Sequence, residues 1–533
     1  MLSLHAFNLA KIWSCRVAVS LAIGSAVCGA IQPDALAAEE DRRVRQLVIT
    51  DSKGDRGLLA PYVHRKNGVS YLYTTYVFDT LVSQDADGNP APGLARSWQR
   101  APDGLSYAIQ LQSDAKWHDG KAVTAEDVAF TMRYMSEYPY VFGSVKSIER
   151  VEVEGPYDLR VYVKRAETGL VEGVFSAIPI LPEHVYSRIE DPFRFASLEA
   201  AIGSGPYRLA AYDKAQGRYL LEAVTDHPLG RARFEQIRIV KMNPDAALQA
   251  MSAGEVDIIS YLPVDRVLAA EAEGFKVEVA PSHHVMRLGF NHRGRFALRE
   301  LRQAIAYVID RKALLDTAFP GTAELAQTGY FQPGSRWWNE DDNPTYAHDP
   351  AKAHKFLINA GWAQTAAGRW QREGDDVSLR LITDGRSVKS ARVITEQLEI
   401  FGFSIDLRVM ELGALRNLVA EGAYDLTLFS SSTLGDPSNI GRRVFGRGWN
   451  SDRFPADPEM TGLIRAQTVA SSHAERVEAL DQFQRLYAEN LPSYMLVNPL
   501  MATTFNEKLS APFMPGGVAV GIPSALHKSI FLE

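Results

Sequence analysis

The sequence predicts an α/β protein of more than one domain, and three observations carry that reading. Leu379–Thr383, a helix from about Lys389 and then Ser404–Val409 read as a β-α-β unit. Earlier, the strand-like Ile237–Val240 precedes a helix over about Asp245–Ala253, with Gly254 placed to stop it. Finally, once an N-terminal leader is set aside, roughly 500 residues remain, enough for a large buried core.

The leader is residues 1–37. Lys11 and Arg16 give a positive start, Val17–Ile31 is apolar with small residues, and Ala35-Leu36-Ala37 supplies a small-residue cleavage pattern. The apolar run is too short for a membrane span, and no later run approaches the roughly 18 residues needed. Lipidation at Cys28 would want a small residue where Val27 stands, so no lipid anchor is expected. Cys15 and Cys28 are the chain's 2 cysteines and both fall in the leader. The mature chain therefore enters an oxidising compartment, the periplasm, without disulfides, and its stability must come from packing. With 57 Lys and Arg against 64 Asp and Glu, and no basic run, nucleic acid and anionic membrane are poor partners.

The mature elements follow in order. Gln46–Thr50 is a short β-like run and Tyr73–Val82 a second one. The turn-rich Asp85–Gly93 leads to Leu94-Ala95-Arg96-Ser97-Trp98, and beyond Pro102-Asp103-Gly104 an alternating strand spans Ser106–Leu111. Trp117-His118-Asp119-Gly120 makes a tight turn into a helix capped at Thr124. Asp127, at the third helical position, completes a variant capping box. Val128, Met132 and Met135 share one helical face, and Trp117 reads as core. Strands recur at Val151–Val153 and Leu159–Val163. After Gly203-Ser204-Gly205-Pro206-Tyr207, a strand pair spans Tyr207–Tyr212 and Arg218–Ala223. Gly254–Ile259 and Arg287–Asn291 come next, then a helix through Arg311 with an apolar stripe at Leu301, Ala304, Ile305 and Val308. Asp349–Leu357 is a helix that Ala360-Gly361 stops, and Tyr424–Leu428 is strand-like.

The ordered set Leu94–Trp98 with Trp117–Phe130, Gly203–Tyr207, Gly254–Ile259 and Arg287–Arg311 resembles the family 5 extracellular solute-binding proteins. These are the peptide/nickel-type receptors of ABC importers. The resemblance implies a two-lobed periplasmic-binding-protein fold with a hinge and an additional small domain in the first lobe. The first lobe would comprise 38–75, 200–283 and 494–533, the small domain 76–199 and the second lobe 284–493. It also implies a monomer that captures a peptide or similar amine- or carboxylate-bearing solute between its lobes and delivers it to an ABC permease in the inner membrane. Receptors for metal chelates, opines or other polar solutes, and ligand-sensing partners of a membrane sensor, use the same lobes. Where family members often carry Asn-Pro-x-Tyr-Trp, this chain has Thr225-Asp226-His227-Pro228-Leu229-Gly230.

The same resemblance points to a loop for the ligand. In peptide-binding members an acidic residue of the second lobe pairs with the ligand's α-amine, and the matching loop is Phe429–Pro437. Asp436 is its acceptor, since an enclosed ammonium needs a charged hydrogen-bond partner; it could instead only cap the turn with Pro437 and Ser438. Ser430, Ser431, Ser432, Thr433 and Gly435 supply the rest of the loop, which is serine-rich where several relatives carry Trp or Tyr. Arg386 roughly matches a carboxylate-binding region and offers a bidentate fork. Arg336-Trp337-Trp338 could form an aromatic wall or merely cover a domain surface.

Catalytic patterns are incomplete. The Gly-x-Ser triplets at Ser70, Ser106 and Ser404 lack the closing glycine of a nucleophile elbow. Ser113-Asp114-Ala115-Lys116 has no Lys-Thr-Gly partner, and no phosphate or dinucleotide loop occurs. His283, His284 and His292 form the one histidine cluster, but adjacent residues on a strand face opposite ways, so joint ligation is awkward. No enzyme activity, cofactor or metal site is expected.

Overall fold

The computed structural model describes residues 46–532 except 86–87, 283, 333–334, 336, 340–342, 433–436, 438–439, 507–508, 510–513, 519–521 and 525. At 375–376, 432, 514–518 and 522–524 it describes backbone alone. The leader with its two cysteines lies outside the described residues. No helix among those described is long and apolar enough to cross a membrane.

Strand β1 (Gln46–Asp51) alternates Leu47 and Ile49 toward one buried face. Helix α1 (Gly68–Val77) follows, so the run expected to be β-like from Tyr73 is helical as far as Val77. Six of its residues are Ser, Tyr or Thr, weak helix formers in isolation. They are buried on every side, and tertiary packing overrides propensity.

Strands β2 (Ala95–Arg100), β3 (Ser106–Leu111), β4 (Ile148–Val153) and β5 (Asp158–Val163) form a 4-stranded antiparallel sheet in the order β2-β3-β5-β4. Helix α2 (Ala125–Glu137) packs on it through Val128, Met132 and Met135. Its capping box is present: the Thr124 amide donates to Asp127 Oδ2 at 2.9 Å. Asp127 also accepts from Trp117 Nε1 at 3.3 Å and from the Glu183 amide at 3.0 Å. Trp117 is therefore a core residue held by the cap of its own helix.

Two motifs 85 residues apart make one joint. The ring of His118 accepts from the Gly203 amide through Nδ1 at 3.3 Å and bonds the Gly205 carbonyl through Nε2 at 2.9 Å. Gly203 and Gly205 lie against the end of α1, where a Cβ would come within 1.9 Å of the Val77 oxygen and 2.5 Å of the Tyr76 oxygen. Backbone at that distance cannot give way. Gly203→Ala should lower stability by about 2–3 kcal/mol, measured by chemical denaturation; a loss under 0.5 kcal/mol would show the contact to be soft.

The joint also holds Asp79, buried just past α1. Its carboxylate accepts from Lys528 Nζ and from His227 Nε2 at 3.0 Å. Burial opposes its charge, but Lys528 and His227 more than offset this and hold the carboxyl well below the usual range. His227 belongs to the Thr225–Gly230 phrase, where the chain departs from the family pattern.

Most of the remaining strands build one 12-stranded sheet. The first lobe contributes β6 (Tyr207–Asp213), β7 (Arg218–Ala223), β8 (Gln236–Lys241), β9 (Ile258–Leu262) and β10 (Lys276–Pro281). Helix α3 (Pro244–Ser252), closed by Gly254 at φ +76°, covers one face with Ala247, Leu248 and Met251. The second lobe opens with β11 (His284–Phe290), α4 (Arg299–Val308), α5 (Arg311–Ala318), β12 (Ala323–Leu325) and α6 (Pro350–Asn359). It continues through β13 (Ser378–Asp384), α7 (Val388–Ile400), β14 (Ser404–Met410), α8 (Leu412–Glu421) and β15 (Leu426–Ser432). Helices α9 (Ile440–Val444), α10 (Pro458–Val469) and α11 (His473–Asn490) precede the long strand β16 (Ser493–Phe505).

The sheet order is β14-β13-β15-β11-β16-β9-β1-β8-β7-β6, with β10 and β12 also paired to β16. Strand β1 runs parallel to both β8 and β9, and β13 runs parallel to both β14 and β15. The chain passes between lobes twice: from β10 into β11, and along β16. The first half of β16 pairs with β11 and its second half with β9 and β10. The two crossings touch where the Ser282 amide donates to the Pro499 carbonyl at 2.8 Å. That is the hinge of a two-lobed fold.

Candidate solute site

In α/β sheets of this kind, ligands lie outside the carboxyl ends of parallel strands. In the first lobe, β1 ends at Asp51, beside Ser260 of β9. Asp51 is buried and grips Arg56 in a fork, Nε at 2.6 Å and Nη2 at 2.7 Å. The Tyr73 hydroxyl donates to the same carboxylate at 3.3 Å. Next to Ser260, Tyr261 has φ +58°, a left-handed conformation uncommon for an aromatic residue and one that concentrates at ligand clamps.

In the second lobe, β13 and β15 end at one edge, which carries the predicted residues. Ser430 is exposed and donates to the Val285 carbonyl at 3.5 Å. Ser431 is buried, and its Oγ finds no hydrogen-bond partner among the described residues. Of Ser432 only the backbone is described, and it pairs with His284 beside the hinge. Thr433, Gly435 and Asp436 lie outside the described residues, as do Arg336 and His283.

Arg386 stands at the carboxyl end of β13 but turns back on its neighbour. Its Nε bonds Asp384 Oδ2 at 2.9 Å, Nη2 reaches the same oxygen, and its own amide donates to Oδ1 at 3.1 Å. The side chain is 72% exposed. Trp337 is buried beneath Arg476, whose guanidinium lies 4.8 Å from the ring centre, so it is core; Trp338 is half-buried. His292 is buried and bonds the Pro492 carbonyl at 2.8 Å, and burial with nearby Arg302 pushes its pKa down to about 3. His284 sits at the other end of β11. Among the described residues no group of three potential ligands is placed for a metal ion.

Three features went unread in the sequence. Arg287, 1% exposed on β11, donates through Nη1 to the buried Asp452 at 3.1 Å. Asp452 also accepts from the Tyr487 hydroxyl and the Ser493 hydroxyl, each at 2.8 Å. Burial works against the charge of Arg287, and Asp452 outweighs it. An arginine inside the apolar run Val285–Phe290 was the available signal. Arg443 on α9 is half-buried next to this pair, and its carbonyl accepts from the Asp452 amide at 2.8 Å. Lastly, the segment after β5 touches α10 and α11 directly. The Thr168 amide donates to the Thr468 carbonyl at 2.9 Å, its hydroxyl donates to the Ala470 carbonyl, and Glu172 lies 3.8 Å from the buried Arg476.

Known proteins share this fold. Residues 89–452 match the family model described as bacterial extracellular solute-binding proteins, family 5 Middle. The chain is 27% identical over 451 residues to the oligopeptide-binding protein AppA of Bacillus subtilis, covering 79% of this chain and 81% of that one. It is 25% identical over 482 residues to a dipeptide-binding protein of Pseudomonas aeruginosa, covering 83% and 87%. In fold it is similar to NikA from Brucella suis in complex with Fe(III)-EDTA, with a TM-score of 0.76 at 21% identity over 90% of this chain and 99% of that one.

Proposed function

The chain belongs to the bacterial extracellular solute-binding proteins, family 5, and from that premise we propose that it captures a peptide in the cleft between its lobes. Similarly sized amine- or carboxylate-bearing compounds belong to the same solute class. The observation that carries this reading is the pair of hinge crossings beneath two sets of strand ends, in a chain whose relatives include proteins named for oligopeptide and dipeptide binding. The protein acts as a periplasmic monomer and hands its solute to an ABC permease of the inner membrane. It performs no catalysis. The lobes divide at 38–75, 200–283 and 494–533 for the first and 284–493 for the second, with 76–199 as the small domain.

Within the cleft, Asp436 takes the amine, while Ser430, Ser431, Ser432, Thr433 and Gly435 line the loop before it. Arg386 would serve a carboxylate only by exchanging Asp384 for the solute. Binding selects the closed arrangement of the lobes, so a matching solute should stabilise the purified mature chain. Thermal unfolding against di- and tripeptides, opines and metal chelates tests this. Turnover of any of them by clean protein would sink the non-enzymatic reading. Asp436→Asn should weaken free-amine peptides roughly 10- to 100-fold while sparing N-acetylated ones, measured by titration calorimetry. Unchanged affinity would reduce Asp436 to a turn residue.

A further inference from the structure

The face of β11 that carries Val285 and Arg287 holds more hydrogen-bond donors than acceptors. Ser431 of β15 stands directly across from Val285, and Phe429 across from Arg287. Arg287 gives Nη1 to Asp452 and approaches the Tyr330 hydroxyl; its Nε and Nη2 are buried and make no well-aligned hydrogen bond to a described residue. Its guanidinium lies 5.1 Å from the centre of the Tyr330 ring. The Oγ of Ser431 is likewise buried and unbonded, and so is Nε of Arg443, whose helix follows the serine-rich loop. Burial and the like charges of Arg442 and Arg287 push the Arg443 guanidinium below its usual range.

Among the described residues the charges do not cancel. Asp452 is already shared by Arg287, Tyr487 and Ser493, and no described carboxylate lies within ion-pair distance of Arg443. Among the described residues Arg443 and Arg287 are thus two cations against a single anion, beside the hinge. Water could occupy the spare donors, but it would leave the charge uncompensated, and buried charge is costly unless paired. A carboxylate meets both needs, because its two oxygens accept up to four hydrogen bonds and it carries the missing charge. Arg386, by contrast, already has its counter-ion in Asp384.

We propose that Arg443, with the spare donors of Arg287 and Ser431, forms an anion subsite that receives a carboxylate of the bound solute. The proposal rests on the reading of the chain as a solute receptor and assigns the acid-binding role to α9 rather than to Arg386. It places the acid group one short helix beyond the loop of Asp436.

Two measurements test it. Crystals of the wild type and of Arg443→Gln, each soaked in sodium bromide, locate anions by anomalous scattering. Bromide between Arg287 and Arg443 in the wild type, lost in the variant, is expected; its absence in the wild type overturns the proposal. Calorimetry then compares the di- or tripeptide that most stabilises the protein with its C-terminal amide. The wild type should prefer the free acid by roughly 10- to 100-fold. Arg443→Gln should bring the acid down to the level of the amide, Arg443→Lys should keep part of the preference, and Arg386→Gln should leave it intact. Equal loss for acid and amide in Arg443→Gln, or loss of the preference in Arg386→Gln, overturns it. A chain that holds bromide there but binds no panel peptide fails as a peptide receptor and keeps the anion subsite.

Discussion

Replacing Asp79 by alanine is expected to destabilise the protein by about 3–5 kcal/mol, because it strands the buried ammonium of Lys528 without its counter-ion. His227 loses its partner in the same step. The loss should appear as a lower denaturant midpoint with an unchanged slope. The pH dependence has a definite sign. The native Asp79 carboxyl titrates below its unfolded value of about 3.9, so its contribution is complete above that pH and is lost as pH falls toward the native value. Asp79→Asn should therefore cost stability at pH 7 and flatten the acid limb below about pH 4. An acid limb of unchanged steepness would remove Asp79 from that role.

Asp452→Ala is expected to cost a further site of similar size, about 3–5 kcal/mol, in the second lobe. Arg287 would lose the carboxylate it bonds, and Tyr487 and Ser493 would keep each other, at 2.9 Å. The informative control is the pair Arg287→Met with Asp452→Leu. Apolar side chains in both places remove the desolvation cost along with the attraction, so the double variant should regain most of the stability lost by Asp452→Ala alone. If the double variant is no more stable than that single one, the pair matters for packing rather than for charge. The Arg443 subsite adds a link: a variant that removes Arg287 should also weaken acid-bearing solutes.

The legible parts of this chain were those whose causes are local. The Thr124–Asp127 cap and the stops at Gly254 and Gly361 depend on residues within one or two turns of one another, and all stand where they were expected. Helix α1 was illegible because its Tyr, Thr and Ser residues are helical only by virtue of what surrounds them. The Gly203–Gly205 motif could be seen, but not its purpose, since the α1 carbonyls it must clear lie more than a hundred residues earlier. At the proposed site, the strand leading into the serine-rich loop was readable from sequence. The charge balance around it was not, because Arg287 and Asp452 are 165 residues apart and only folding pairs them. The grip of Asp384 on Arg386 spans two residues and was open to reading from the sequence as an Asx-type turn.

The clasp between Asp79 and Lys528 spans 449 residues, and β1 has as its near neighbours β9 and then the far half of β16. The lobe whose first strand is made first is therefore the lobe completed last. The second lobe, by contrast, is drawn from one unbroken stretch between β11 and the near half of β16, and can assemble while the other waits. For a chain threaded outward from its amino end, this order leaves the Asp79–Lys528 contact unmade until nearly the whole length has been delivered. Long-range closure of this kind is slow, and here the slowness is written into which strand is shared.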